Sequence, residues 1–268
     1  MMDMTKNNKG FTLVELAIVL VIIGLLIGGV LQGQELIKQA QLRSTIRQFT
    51  EYDTSVNTFR AKYREIPGDI TRAAAFGINR PKGTTSGAEN VLASTGGTNG
   101  DGDGDGELED DDEAIDSFDG EIANFWVHLA NVNLIGTAIS QETSTVQSGE
   151  AYPESPVGNG IGAVSESQRL FYTLGGGANL TNFACSNEST DQSLCTESLN
   201  PEEAFGVDSK IDDGKPDSGI VQYYEGYTSA AFTMDTGDNC LVDIGGGDFE
   251  YNLPLSDAVC SIYITAST

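Results

Sequence analysis

The chain has 268 residues, 40 acids against 14 Lys and Arg, and a net charge of −26. A surface this acidic repels phosphate backbones and argues against nucleic acid as a partner. The length allows one or two domains.

The charge is uneven along the chain. Lys6 and Lys9 precede an apolar run, residues 34–82 carry nine basic side chains against five acids, and residues 83–268 carry three basic side chains against 33 acids. The apolar run, Phe11 to Leu31, is 21 residues long with a single charge, Glu15. As a helix it extends about 31 Å, matching a hydrocarbon core of about 30 Å. It is therefore predicted to span a membrane. Lys6 and Lys9 place the N-terminus in the cytoplasm, so everything after about residue 32 lies on the far side. A carboxylate inside the span costs roughly 2.5–3.5 kcal/mol, so Glu15 requires a compensating partner. A secretory signal would need a small-x-small cleavage site after the run. The next segment, "QGQELIKQAQLRS", offers no convincing one.

The segment "KGFTLVELAIVL", Lys9 to Leu20, resembles the class III leader of type IV pilins and type II secretion pseudopilins. The resemblance implies cleavage between Gly10 and Phe11 by a prepilin peptidase and N-methylation of the new amino terminus at Phe11. It gives Glu15 its partner: the ammonium at Phe11, on the same chain or on the neighbour in a filament. Attraction between opposite charges strengthens steeply at low dielectric, but full burial of such a pair barely breaks even. The pair rewards correct register more than stability, since a misplaced subunit leaves two charges unpaired in lipid.

No proline occurs before Pro67, and Leu42, Phe49, Val56 and Tyr63 recur seven apart with Ile46, Tyr52 and Phe59 alongside. This is one apolar stripe on an amphipathic helix whose other face is basic. One helix from Phe11 to Tyr63 is predicted, roughly 80 Å long. Its first half sits in the membrane or filament core and its second half covers a globular head. Gly24, Gly28, Gly29 and Gly33 mark where the helix either unwinds in a filament or stays whole. "REIPGDI", residues 64–70, ends it through Pro67 and Gly68, with Asp69 as the expected cap of a short helix over "TRAAAFG". The IPGD turn resembles the end of the stem helix in pseudopilin-like proteins.

Between Asp101 and Glu121 stand 12 acids and no Lys or Arg. Asp101, Asp103 and Asp105 alternate with glycines ahead of Gly106, fitting the D-x-D-x-D-G opening of a calcium loop. Glu107 is placed to offer its backbone carbonyl and Leu108 to anchor the loop inward. The closing acid stays open between Asp112, Glu113 and Glu121. Ca2+ is the expected cofactor; a solvated acidic loop is the alternative. An amphipathic helix follows over residues 120–136, with His128, the single histidine, expected at the helix surface or an interface. The loop followed by "FWVHL" resembles an arrangement recurrent in pseudopilin-like proteins.

Residues 136–168 are rich in Gly, Ser, Thr and Pro and are predicted as a long loop. "NPEEAF", 200–205, reads as a short helix capped by Asn200 with Pro201 first. "VDSKIDDGKPDSGIV", 207–221, resembles a C-terminal segment of the same group of proteins. Asp212, Asp213 and Asp217 there form either a second metal site or a plain turn around Gly214 and Pro216. Four strand-like runs follow, "GIVQYYEGYTSAAFTM", "NCLVDI", "GDFEYNL" and "AVCSIYIT". The four cysteines all lie in the exported part, where disulfides form. Three pairings are open, and the two local ones, Cys185–Cys195 and Cys240–Cys260, are preferred because each closes a short loop.

The expected fold is α+β and pilin-like: a long N-terminal helix packed on a small antiparallel sheet, with calcium-binding and disulfide-restrained loops. The expected segments are a leader at 1–10, a membrane or filament-core helix at 11–33, an amphipathic helix at 34–66 and a periplasmic or extracellular head at 67–268. No nucleophile–base pair, phosphate loop or metal-hydrolase motif is legible, so a structural role is expected over an enzymatic one. The expected partners are the prepilin peptidase, other pilin or pseudopilin subunits, an inner-membrane assembly platform and membrane lipid. The basic stem is expected to face the acidic heads of neighbours. The alternative is a minor or tip pilin whose large head is an adhesin or binds exported cargo.

Overall fold

The computed structural model describes residues 13–78, 102–108, 120–137, 139, 152–158, 160–166, 168–174, 199–223, 226–228, 231–233, 240–257 and 260–267. The chain divides into two compact units, Met1–Arg43 and Ser44–Thr268.

A single helix, α1, runs from Leu13 to Tyr63 over 51 residues; the expected first two residues, Phe11 and Thr12, lie outside the described ones. In the first unit the large apolar side chains from Leu13 to Ile37 are exposed. This part of α1 is long and apolar enough to cross a membrane. A helix suits that medium because it satisfies its own backbone polar groups. The helix is whole through Gly24, Gly28, Gly29 and Gly33.

In the second unit the same helix changes partners. Phe49, Tyr52, Val56, Phe59 and Tyr63 are buried along one stripe. They meet α2 (Gly120–Asn131) and the sheet. Tyr52 packs edge-on against Trp126 at 4.9 Å between ring centres, and Phe49 lies 5.9 Å from Tyr172. Trp126 and Phe125, also edge-on at 4.9 Å, are fully buried. Removing one such ring from water stabilises the head by roughly 1.5–3 kcal/mol. Asp53 on α1 accepts hydrogen bonds from the backbone N–H and hydroxyl of Ser267, fastening the end of the chain to the stem.

The main sheet joins β1 (Ile161–Glu166), β2 (Arg169–Leu174), β3 (Val221–Tyr223) and β8 (Ile262–Thr265) in the order β1-β2-β8-β3. All its pairings are antiparallel. Two of its strands depart from expectation. β1 lies in the stretch predicted as a long loop, and β2 comes directly after it. Small residues at Gly162, Ala163 and Ser165 weaken the strand signal of β1, which gains its core contacts by pairing with the apolar β2. The run over 219–234 divides into β3, β4 (Gly226–Thr228) and β5 (Ala231–Thr233), the last two forming their own hairpin. β6 (Leu241–Gly245) and β7 (Asp248–Tyr251) likewise pair with each other rather than joining the main sheet. The α+β class stands, with a four-stranded sheet of different membership.

The helix α3 (Pro201–Ile211) is longer than the short helix expected and starts as its sequence indicates. The Asn200 side chain accepts from Glu203 N at 2.9 Å, while the Glu203 carboxylate accepts from Asn200 N at 3.1 Å. This reciprocal cap satisfies two donors that the first turn leaves open. Cys240 and Cys260 form a disulfide that ties the entry of β6 to the approach to β8. Cys185 and Cys195 lie outside the described residues.

Candidate functional site

The "IPGD" turn, the acidic loop, the first turn of α2 and the β1–β2 hairpin meet at one junction. α1 ends at Tyr63, and the next residue, Arg64, takes a left-handed backbone (φ 68°) and donates its N–H to Arg60 O. Gly68 follows with φ 96°. A Cβ there would lie 2.5 Å from the carbonyl oxygen of Glu121 and 2.6 Å from Leu108. Only glycine lets the turn press against both α2 and the loop. The Gly68 N–H donates to His128 Nδ1 at 2.9 Å. His128 is fully buried, with its ring parallel to Phe59. The surface role expected for His128 is therefore corrected: a buried backbone N–H in a helix-ending turn needs an acceptor, and this ring supplies it.

Asp69 is also corrected. The short 3-10 turn Ala74–Phe76 has Ala73, with no side-chain cap, at its N-terminus, and Asp69 points elsewhere. Its carboxylate is buried and accepts N–H groups from the acidic loop, Gly104 on Oδ1 and Gly106 on Oδ2. The loop is pinned at further points. Gly102 N donates to Ile70 O, Asp103 N to Glu121 Oε1, and Leu108 N to Ser165 Oγ. Leu108 is fully buried. Glu107 accepts on Oε1 from Gln168 N, so its side chain latches the loop to the β1–β2 turn.

The arrangement gathers Asp69, Asp103 and Asp105, whose carboxylate oxygens lie within 4.8 Å of one another. Asp103 Oδ1 accepts from Asp105 N and Asp105 Oδ1 from Glu107 N, which keeps the two exposed carboxylates folded over the loop. Burial pushes the Asp69 carboxyl up to about 6; the Gly106 and Gly104 N–H groups oppose that, and the charges of Asp105 and Asp103 add to it. The group offers oxygen alone and can hold a metal ion. Oxygen-only donors suit hard cations over zinc or copper. Of the expected ligands, Asp101 and Asp112 lie outside the described residues. Sequence reasoning misses Asp69 as a member; the available signal is an acid placed directly after a Pro-Gly turn.

A second acidic group combines Asp208, Asp212 and Asp213. Asp217, the expected third member, accepts from Phe249 N instead. The carboxylates here are engaged by the protein. Asp208, fully buried, accepts from the Tyr251 hydroxyl at 3.0 Å and from Gly214 N at 3.1 Å. Asp213 accepts from Lys215 N and the Ser218 hydroxyl, and Asp212 from Ile220 N. These are the bonds of a buttressed turn around Gly214, whose φ is 76°.

The two turns can be tested by substitution. Gly77 also has a positive φ, 73°, but open space where a Cβ would go. Gly77→Ala is expected to cost about 1 kcal/mol and Gly68→Ala roughly 3 kcal/mol in urea unfolding of the full chain in detergent. Equal costs would show that the close approach at Gly68 is absent. Burial pushes Asp208 up to about 7, with Asp213 and Asp212 adding and the Tyr251 and Gly214 bonds opposing. Between about pH 4 and 7 the folded state thus keeps a proton that the unfolded state has lost. Its contribution to stability falls as pH rises through that window. Asp208→Asn, which keeps an acceptor for Gly214, is expected to flatten this part of the slope of unfolding free energy against pH. An unchanged slope would remove Asp208 as its source.

Residues 5–31 match the family described as the prokaryotic N-terminal methylation motif. No curated protein and no solved structure matches the chain. The matched segment includes Gly10 and Phe11, which lie outside the described residues, and Glu15, in the first turn of α1. The chain thus carries at its N-terminus the methylation motif that is the signature of type IV pilins and pseudopilins.

Proposed function

We propose that this protein is a pilin-like structural subunit, cleaved between Gly10 and Phe11, N-methylated at Phe11 and polymerised through α1 into a type II secretion pseudopilus or a type IV pilus. Before assembly it is a single-pass inner-membrane protein with a cytoplasmic N-terminus and a periplasmic head. One observation carries the reading: the methylation motif at residues 5–31 runs directly into a helix whose apolar side chains are exposed through Ile37. An exposed apolar helix of this length requires lipid or other copies of itself around it. Glu15 is the partner of the Phe11 ammonium, setting the stagger between neighbours.

Intact-mass spectrometry of the chain recovered from membranes is expected to find Phe11 as a monomethylated first residue. Glu15→Gln is expected to leave processing intact and to cut assembly by an order of magnitude or more, measured as filament mass sheared from cells. Assembly at the unsubstituted level with Gln at position 15 would remove the charge pair from the reading.

Within the head, Asp69, Asp103 and Asp105 are the proposed calcium ligands, with Glu107, Glu121, Asp101 and Asp112 as further candidate donors. The convergence of three carboxylates on one turn supports this. A bound cation would relieve their repulsion and fasten the acidic loop to the end of the stem. Terbium luminescence of the full chain in detergent, competed with calcium, reads the site directly. Asp103→Asn with Asp105→Asn is expected to weaken calcium binding at least ten-fold. Equal affinity in that variant would locate calcium elsewhere.

A further inference from the structure

Within the second unit the β6–β7 hairpin is a separate piece of structure. Among the described residues its two strands pair with each other, in a sheet of their own. Its outer part, Val242 to Asp248, is exposed, whereas Leu241 and Tyr251 at its root are buried. Two bonds dock the hairpin on its neighbours. The Tyr251 hydroxyl donates to Asp208 Oδ2 on α3 at 3.0 Å, and Phe249 N donates to Asp217 Oδ2 at 3.4 Å. A hairpin outside the ladder of the main sheet can open without disrupting that sheet.

The Cys240–Cys260 bridge lies at that root. Cys260 belongs to the main body: it exchanges both backbone hydrogen bonds with Leu199, at 2.9 and 3.3 Å, just before the cap of α3. Cys240 belongs to the hairpin, its carbonyl accepting from Asn252 N at 2.8 Å. Both cysteines are enclosed, 1% and 0% exposed. Thiol–disulfide exchange requires a thiolate to reach one sulfur directly, so access controls its rate. With the hairpin docked, neither an oxidant nor a reductant reaches the pair.

We propose that the docked β6–β7 hairpin is a seal over the Cys240–Cys260 bridge, which forms and breaks only while the hairpin is open. In the forming direction, the thiolate of one cysteine attacks an external disulfide and expels a thiolate, leaving a mixed disulfide. The thiolate of the second cysteine attacks that mixed disulfide, closes the bridge and expels the other half of the oxidant. The protein gives up two protons and two electrons, and the external disulfide becomes two thiols. Breaking the bridge with an external thiol retraces the same mixed disulfide, so one opening serves both directions. Oxidation therefore precedes docking, and docking then protects the product. This device belongs to the head alone and is independent of the assembly proposed for α1.

The test reduces the full chain in detergent with excess glutathione at fixed pH. Differential alkylation and peptide mass spectrometry follow positions 240 and 260. Reduction of the native chain is expected to be at least ~100-fold slower than in urea, as for a site reached only through an opened state. Tyr251→Phe removes one docking bond and is expected to speed native reduction about ten-fold, the worth of a hydrogen bond to a carboxylate. Val56 is fully buried on α1. Val56→Ala weakens the packing of the stem on the head and leaves both docking bonds in place. It is expected to lower global stability without changing the reduction rate. Equal rates in native buffer and in urea would show the sulfurs to be open. An unchanged rate with Tyr251→Phe would remove the docking bond from the seal. Acceleration by Val56→Ala in step with the lost stability would place the opening in global unfolding. Each of these three results overturns the proposal.

Discussion

One helix has to satisfy two solvents. From Leu13 to Ile37 α1 shows large apolar side chains on all sides, and from Ser44 to Tyr63 it buries a single stripe and turns charge outward. Backbone hydrogen bonds run unbroken through both parts. The first part requires an apolar medium, and the second requires a head to cover it. The remainder of the second unit is arranged around that stripe: α2 brings Trp126 against Tyr52, and β2 brings Tyr172 against Phe49.

The way the helix ends is the next constraint. A left-handed residue, a proline and a glycine stop it, and each leaves backbone groups that the head must satisfy. His128 accepts one of them. Asp69 then turns the exit into an anchor for the acidic loop by accepting two N–H groups from it. A buried carboxylate surrounded by other acids is costly. Here it links the end of the stem to the segment with the densest negative charge in the chain. A cation seated there would couple the two more tightly.

Much of this is legible in sequence because the signals are local. The apolar run, the absence of proline before Pro67 and the seven-residue recurrence fix α1 without reference to anything distant. The cap of α3 is visible in "NPEE", where both members of the reciprocal pair sit three apart. The Cys240–Cys260 bridge, expected because it closes a short loop, is present. The features that escape depend on partners far along the chain. β1 has too many small residues to declare itself, and it is a strand because β2 covers it and β8, some 90 residues later, completes the sheet. His128 reads as a polar residue on an amphipathic helix until Gly68, 60 positions earlier, is placed beside it. Asp69 looks like a cap for the short turn after it, yet the donors that claim it come from a loop 35 to 37 positions onward.

The division of α1 between two media is tested most directly by labelling single cysteines along it in intact cells with a membrane-impermeant maleimide. Leu20→Cys lies within the apolar part, and Thr58→Cys lies on the exposed face of the part that covers the head. A helix embedded as described leaves position 20 unlabelled until the membrane is dissolved, while position 58 reacts once the outer barrier is opened. Ready labelling at position 20, or labelling at position 58 only from the cytoplasmic side, would contradict it.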